Sequence, residues 1–334
     1  MAADAYIVIG NGWVVRTAYL PALALDGARV VAVLDIARPA DLDRAIAQAA
    51  SLLARHPGAR VIVATPNDSH WRIATSLAPL ARSVLVEKPM ALPGEVTAAA
   101  ARRFANISVS TPNRFRPDVA RLKQLVAAGA VGAVRQVRIG WHRRSGVPRP
   151  GSWYTHAAAA GGGALADLGP HVLDLGLDLL GYPQCAVAAA ETGRWLPPCA
   201  DVAGRADRLS GGALPFDVET EARLTLASAD GASHVFAVAW AAPVDSDRTI
   251  VEVVGSRASL RLETLFGFAP GPKVARLHGV VDETMPLVRD PAIDFARLLE
   301  RERAGEAATA RQGAAVMDVI AASYRRAGRA GVSA

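Results

Sequence analysis

Tyr6-Ile-Val-Ile-Gly10-Asn-Gly12-Trp-Val-Val15 is the stretch on which the reading of the fold turns. Four residues of strand character run straight into two glycines, and from Trp13 to Leu25 apolar residues recur at helical spacing. Strand, glycine turn and helix in that order let a backbone approach a pyrophosphate seated on the outward-pointing N–H groups of a helix N-terminus. Gly10, Asn11, Gly12, Trp13 and Val14 are therefore candidate cofactor contacts. Val15 stands where the third glycine of G-x-G-x-x-G would fall, which predicts a different packing of helix on strand at that point. Alone, the motif carries little.

The flanking sequence adds to it. A second strand, Arg29-Val-Val-Ala-Val-Leu34, ends on Asp35, 23 residues past Gly12, where a carboxylate accepts hydrogen bonds from the adenosine ribose. Asp35 and Ile36 join the candidate cofactor set and favour NAD over NADP. Arg38 argues partly the other way, because a guanidinium there stacks on adenine or meets a 2′-phosphate. A helix over Ala40 to Arg55 leads to a third strand, Arg60 to Ala64, and then to Thr65-Pro66-Asn67-Asp68-Ser69-His70. Proline holds Thr65 extended. Asn67 or Asp68 is placed to cap the next helix, and the same turn falls beside the cofactor at the carboxyl end of a sheet. His70 reads as a packing or capping residue rather than a catalyst.

Ser83-Val-Leu-Val-Glu87-Lys88-Pro89 follows as a short strand ending in a charged pair. Lysine occurs only at 88, 123 and 273 among 37 basic residues, so this chain uses arginine for generic positive charge. A lysine at a strand end then points to proton chemistry, because a desolvated ammonium can share its proton as a guanidinium cannot. Glu87 alongside would hold it, and a salt-bridged strand end is the alternative. A helix from Pro93 to Phe104 and a strand Ile107 to Thr111 complete a doubly wound parallel sheet over residues 1–116. Its ligand edge carries Gly10, Asp35, Thr65 and Lys88.

Length and composition bound the rest. The 334 residues, 51% hydrophobic with 29 glycines, suffice for two cores. No basic leader opens the chain, and no uncharged apolar run reaches the roughly 20 residues a membrane span needs. Cys185 and Cys199 lack disulfide or C-x-x-C spacing. These features predict a soluble cytoplasmic protein. The net charge of +6 comes from scattered arginines without an aromatic-basic motif, which argues against nucleic acid and for an anionic small substrate.

From 117 to 334 the grammar changes. One helix, a strand near Ala133 to Trp141, a loop rich in Arg, Pro and Gly, strands bunched near 219–227, 234–240 and 249–254, and two closing helices read as an α+β domain. Its open sheet is largely antiparallel or mixed. Residues 192–215 have no clear period. Before that stretch comes Gly161-Gly-Gly-Ala-Leu-Ala-Asp167-Leu-Gly-Pro-His171-Val-Leu-Asp174-Leu-Gly-Leu-Asp178. On a helix its acids and histidine form one narrow stripe flanked by leucines. Such a stripe is either a solvated face or a partly buried line that needs partners. Pro170 is tolerable if Asp167 to Gly169 lie near the helix start. No further His or Cys cluster has metal-ligand spacing, so no metal is expected.

In order and spacing, Gly10-x-Gly12, Thr65-Pro66-Asn67-x-x-His70, Glu87-Lys88-Pro89, Asn113-Arg114-Phe115-x-Pro117, the Gly161-to-Asp174 segment and Val251-Glu-Val-Val-Gly255-Ser resemble the glucose-fructose oxidoreductase, inositol dehydrogenase and rhizopine-catabolism (Gfo/Idh/MocA) family. The resemblance covers nearly the whole chain. It implies a Rossmann domain, a second domain whose open sheet forms a homo-oligomer, a cis Lys88-Pro89 bond, and NAD(P)-dependent redox chemistry on a sugar or cyclitol. It also implies Lys88, Asp167 and His171 as the catalytic group, with Asn113 at the cofactor and Arg114 near substrate. Histidine suits a base that takes a hydroxyl proton as hydride leaves, and lysine suits stabilising the oxygen left behind. Trp153 and Tyr154 either line the substrate pocket or belong to a solvated loop. Two alternatives stand beside a dehydrogenase or ketoreductase: a glycosidase that oxidises its substrate transiently, and a non-catalytic dinucleotide-binding regulator.

Overall fold

The structure is a computed structural model describing residues 4–36, 39–149, 151–195, 216–268 and 271–328. Arg38, and 196–215 of the segment without clear period, lie outside the described residues. The chain divides into two compact units, Met1–Phe115 with Asp290–Met317, and Arg116–Arg289 with Asp318–Ala334.

The first unit is built on strands β1 (Ala5–Ile9), β2 (Arg29–Leu34), β3 (Arg60–Val63), β4 (Val84–Val86) and β5 (Ile107–Val109). Together with a two-residue strand at Ala308–Thr309 they make one sheet, in the order 308–309, β5, β4, β3, β1, β2. All neighbours are parallel except the 308–309 strand. The alternation in β1 shows why its sequence is unbroken apolar: Ile7 and Ile9 enter the core on one face, Tyr6 and Val8 the core on the other. A strand covered on both faces needs apolar residues at every position. From β1 the chain pairs first with β2 and then crosses to β3 on β1's other side. That reversal opens a crevice at the carboxyl ends of β1 and β3.

The sequence boundary at 116 assigned everything beyond it to one domain, whereas residues 290–317 belong to the first unit. The reason is packing. Phe295, Leu298 and Leu299 on the helix Pro291–Arg303 are buried with Tyr6, Val8, Tyr19 and Leu23, and the Phe295 ring meets Tyr19 edge-on at 4.7 Å. Arg60 and Glu302 form an ion pair at 3.1 Å with both side chains buried. Helical periodicity tells which face of this segment is apolar, not which core receives it. The helix expected over Pro93 to Phe104 is a single turn at Ala98–Ala101. Gly94 has φ +86°, Leu92 N–H donates to Glu95 Oε2 at 2.8 Å, and Thr97 caps Ala100, so a turn occupies the stretch given to the helix.

The second unit is an eight-stranded mixed sheet. Strands β6 (Val134–His142), β7 (Cys185–Gly193), β8 (Glu221–Ser228), β9 (Ser233–Ala239), β10 (Arg248–Gly255), β11 (Ser259–Thr264), β12 (Val274–Gly279) and β13 (Glu283–Pro286) lie in the order β13-β12-β11-β10-β6-β9-β8-β7. Only β6 and β9 pair in parallel. The helix Ala164–Leu179 packs on β6, β8 and β9. It approaches closely because Gly176 has no side chain; a Cβ there would stand 2.3 Å from the Phe236 ring. No helix among the described residues is long and apolar enough to cross a membrane.

Candidate functional site

The glycine turn of the first unit divides its work between two residues. Gly10 has φ +109°, and a Cβ on it would lie 2.1 Å from the Ala64 carbonyl oxygen at the end of β3. Its N–H donates to Leu34 O at 2.7 Å. The fold itself therefore requires Gly10. Gly12 is different: a Cβ there would meet nothing within 4 Å. That open space, at the start of a helix, fits the close approach of a dinucleotide pyrophosphate to backbone. Val15 is fully buried among Tyr6, Val8 and Tyr19, so the different packing expected in place of a third glycine is a contact filled by the valine side chain. After Trp13 and Val14 the helix widens into a π turn over Val15–Tyr19, with Leu20 N–H donating to Val15 O. Pro21 supplies the reason, since its ring crowds the carbonyl four residues back and it offers no N–H. Val14 is half-buried against this core, and Trp13 is 56% exposed.

Gly10, Asp35, Thr65 and Lys88 each lie within two residues of the end of a parallel strand. Asp35 is exposed, and its Oδ1 accepts the Ile36 N–H at 2.9 Å. Thr65 Oγ1 contacts Ser69 Oγ at 2.6 Å. Asn67 opens a 3-10 turn, Asn67–Ser69, and no side chain caps that turn or the helix His70–Leu77. Neither Asn67 nor Asp68 caps the helix, because Ser69 occupies its N-cap position, and the Ser69 Oγ turns back to Pro66 O.

His70 is buried, with Nδ1 2.7 Å from Pro89 O and Nε2 2.7 Å from Thr65 O. It ties the end of β3 to the turn after β4. Burial lowers this imidazole's proton affinity, and the two carbonyls and Glu87 act in the opposite sense. Both ring nitrogens are engaged inside the unit, so His70 shapes the turn that carries Lys88. Glu87 is likewise engaged: Oε1 accepts from Tyr19 Oη at 2.7 Å and Oε2 from Lys88 N–H at 3.2 Å. Burial, then the Glu87 charge, push the Tyr19 phenol well above its ordinary range, so it stays protonated and donates. Lys88 is half-buried, and the Lys88-Pro89 peptide is cis. Asn113 and Arg114 are buried in the 3-10 turn Pro112–Phe115.

In the second unit the Asp-His-Asp stripe separates by partner. Asp174 is buried and accepts from Tyr182 Oη at 2.7 Å; Asp178 pairs with Lys123 at 2.5 Å. These two hold the helix in place. Asp167 and His171, one turn apart, are half-buried, and the His171 ring lies edge-on to Trp141 at 5.6 Å. Pro170 stands in the helix interior rather than near its start, because the helix opens at Ala164. It therefore withholds the N–H that the Ala166 carbonyl would accept. Trp153 and Tyr154 stack on each other at 3.8 Å in a 3-10 turn.

Comparison with known proteins decides the family. A family model described as "Oxidoreductase family, NAD-binding Rossmann fold" matches residues 5–119, and the "GFO/IDH/MocA C-terminal domain" matches residues 119–261. The chain belongs to the Gfo/Idh/MocA oxidoreductase family. A protein of Amycolatopsis mediterranei, provisionally named UDP-kanosamine synthase oxidoreductase subunit, is 34% identical over 79% of this chain and 76% of its own length. Levoglucosan dehydrogenase of Pseudarthrobacter phenanthrenivorans is 32% identical over 52% of this chain and 47% of its own. The crystal structure of GenD2 from gentamicin A biosynthesis, in complex with NAD, superposes with a TM-score of 0.70 at 25% identity, covering 98% of this chain and 95% of that one. As a Gfo/Idh/MocA member the chain is an NAD-dependent oxidoreductase acting on CH–OH groups.

One residue beside Asp167 escapes motif reading. Trp240, fully buried just past β9, donates its indole N–H to Asp167 Oδ2 at 2.8 Å. An indole N–H only donates, so Asp167 is held there as an acceptor. The only sequence signal was a tryptophan ending an apolar strand.

Proposed function

We propose that this protein transfers hydride between NAD(H) and a carbinol or carbonyl carbon of a sugar, cyclitol or glycosylated intermediate, with Lys88, Asp167 and His171 as its catalytic residues. The observation that carries this reading is the Asp167 carboxylate, fixed by Trp240 one helical turn before a half-buried histidine. The relatives named for UDP-kanosamine synthesis and for levoglucosan oxidation support a sugar substrate.

Bound nicotinamide supplies the hydride acceptor in oxidation and the donor in reduction. His171 takes the hydroxyl proton onto a ring nitrogen as the C–H hydride leaves; an imidazole with an ordinary pKa of roughly 6.5 suits that step at neutral pH. The Lys88 ammonium donates a hydrogen bond to the same oxygen and offsets its growing negative charge. Asp167 orients the neighbouring base or accepts a substrate hydroxyl. In reduction His171 or Lys88 returns the proton. Gly10 to Val14, with Thr65, Pro66, Asn67 and Asn113, border the dinucleotide. Asp35 accepts from the ribose, which favours NAD over NADP, and Arg114, Trp153 and Tyr154 border the sugar.

The outward side of the second sheet, where Arg138, Glu252 and Arg261 form a ladder of ion pairs, serves in this reading to join copies into a homo-oligomer in the cytoplasm. His171→Ala and Lys88→Met are each expected to lower turnover about 10²–10⁴-fold while NADH binding stays intact. Unchanged turnover in both sinks the assignment, and a clear preference for NADP(H) overturns the role given to Asp35.

A further inference from the structure

Two of the three glycines before Asp167, Gly162 and Gly163, are shaped around the buried Glu219 and the Tyr324 hydroxyl bound to it. Glu219, fully buried just before β8, accepts the N–H groups of Gly163 and Leu165 on a single oxygen, Oε1, each at 3.0 Å. The same oxygen accepts Tyr324 Oη at 2.7 Å, and the Glu219 carbonyl accepts Ala164 N–H at 3.1 Å. Three successive N–H groups at the opening of the helix, which helical bonding cannot satisfy, thus end on one side chain and its own carbonyl. The glycines make room for this. A Cβ on Gly163 would lie 1.9 Å from Glu219 O, and one on Gly162, with φ +149°, would lie 1.9 Å from Tyr324 Oη.

Two further contacts carry the anchor towards the chemistry. Asp167 N–H donates to Gly163 O at 2.9 Å, so the residue gripped by Glu219 is the one on which Asp167's backbone hangs. Thr220, next in sequence, accepts Trp240 N–H at 2.9 Å, and it is the Trp240 indole that holds the Asp167 carboxylate. Pro170 raises the need for such an anchor: without its N–H, the turn bearing Asp167 is tied less firmly to the turn bearing His171.

We propose that Glu219 is a positioning residue of the reaction, setting through the glycine run and the first helical turn where the Asp167 carboxylate and the His171 imidazole stand. This rests on the functional reading above, in which those two side chains meet substrate. A displacement near 1 Å at reacting groups costs about 10²-fold in rate, so a lost anchor is read in kcat.

The test compares Glu219→Ala, Glu219→Gln and Tyr324→Phe with His171→Ala in the full-length protein. It measures kcat, KM, NADH affinity by fluorescence, and melting temperature. Folded Glu219→Ala is expected to lose about tenfold or more in kcat while its NADH Kd stays within about twofold of wild type. Glu219→Gln, which keeps an acceptor for the helix N–H groups, is expected to recover most of that loss. A folded Glu219→Ala protein with wild-type kcat overturns the proposal, as does a loss that tracks only its unfolded fraction. If Glu219→Ala does not fold, Tyr324→Phe, which removes the hydroxyl that donates to Glu219 Oε1, decides: lowered kcat at unchanged NADH affinity supports positioning, and wild-type kcat refutes it. Loss in His171→Ala without loss at Glu219 refutes this inference alone, whereas full turnover in His171→Ala refutes the functional reading beneath it.

Discussion

In the first unit the candidate residues stand at strand ends, so the sheet itself places them, with Gly10 against the Ala64 carbonyl and the His70 side chain fastening the Lys88 turn. In the second unit the candidate pair stands within a helix and is held by side chains that arrive from elsewhere, Trp240 from 73 positions away and Glu219 from 56 positions beyond Gly163. A parallel sheet converts position along the chain into position at an edge, so the first arrangement follows from local sequence. The second depends on tertiary packing that no spacing rule encodes.

The strongest way to break this contrast is within the glycine turn. Gly10→Ala is expected to cost about 3 kcal/mol or more, from strain at positive φ and from the clash with Ala64. Gly12→Ala should leave stability within about 0.5 kcal/mol yet weaken NADH binding roughly tenfold by filling the space a pyrophosphate needs. Thermal melts and fluorescence titration of both variants check this, and equal melting temperatures would show that the fold does not need Gly10. Next in size, Trp240→Phe removes one donor from a carboxylate and should lower kcat about tenfold with NADH affinity unchanged. A Trp240→Phe protein at full kcat would mean that Asp167 is oriented by other contacts.

The smallest effect concerns pH. Burial lowers the pKa of His234 in β9, with Asp230 opposing, and its Nδ1 accepts Val137 N–H at 3.2 Å, which requires the neutral ring. With the folded value below the unfolded one, its contribution is complete above about pH 6.5. It is lost as pH falls through the folded value, at no more than about 1.4 kcal/mol per unit. Urea midpoints between pH 7.5 and 5 should fall for the wild type and flatten in His234→Gln; an equal slope in both would remove His234 from the account.

Gly10, Asp35, Thr65 and Lys88 were legible because short apolar runs closed by glycine, proline or charge mark strand ends. The helix carrying Asp167 and His171 was legible for the same kind of reason, by its four-residue spacing. What the spacing could not separate was purpose: Asp174 and Asp178 share the stripe but serve Tyr182 and Lys123. Nor could it reveal which core would claim Phe295 and Leu298, because an amphipathic face names its own apolar side and not its partner. Strands β7 and β13 were missed for want of strong alternation, whereas β11, Ser259-Leu-Arg-Leu-Glu-Thr264, alternates and was legible. β7 and β13 are the two edge strands of the second sheet, where burial is partial and sequence less constrained.

The two glycines of the opening turn would also record the history of this scaffold differently. A descendant that abandoned redox chemistry would still have to keep Gly10, since the polypeptide alone demands it. Gly12 would be free to drift, since nothing in the protein presses on it. An alanine or serine at position 12 above an intact glycine at 10 would therefore be the fossil of a lost cofactor, legible in a genome without a structure or an assay.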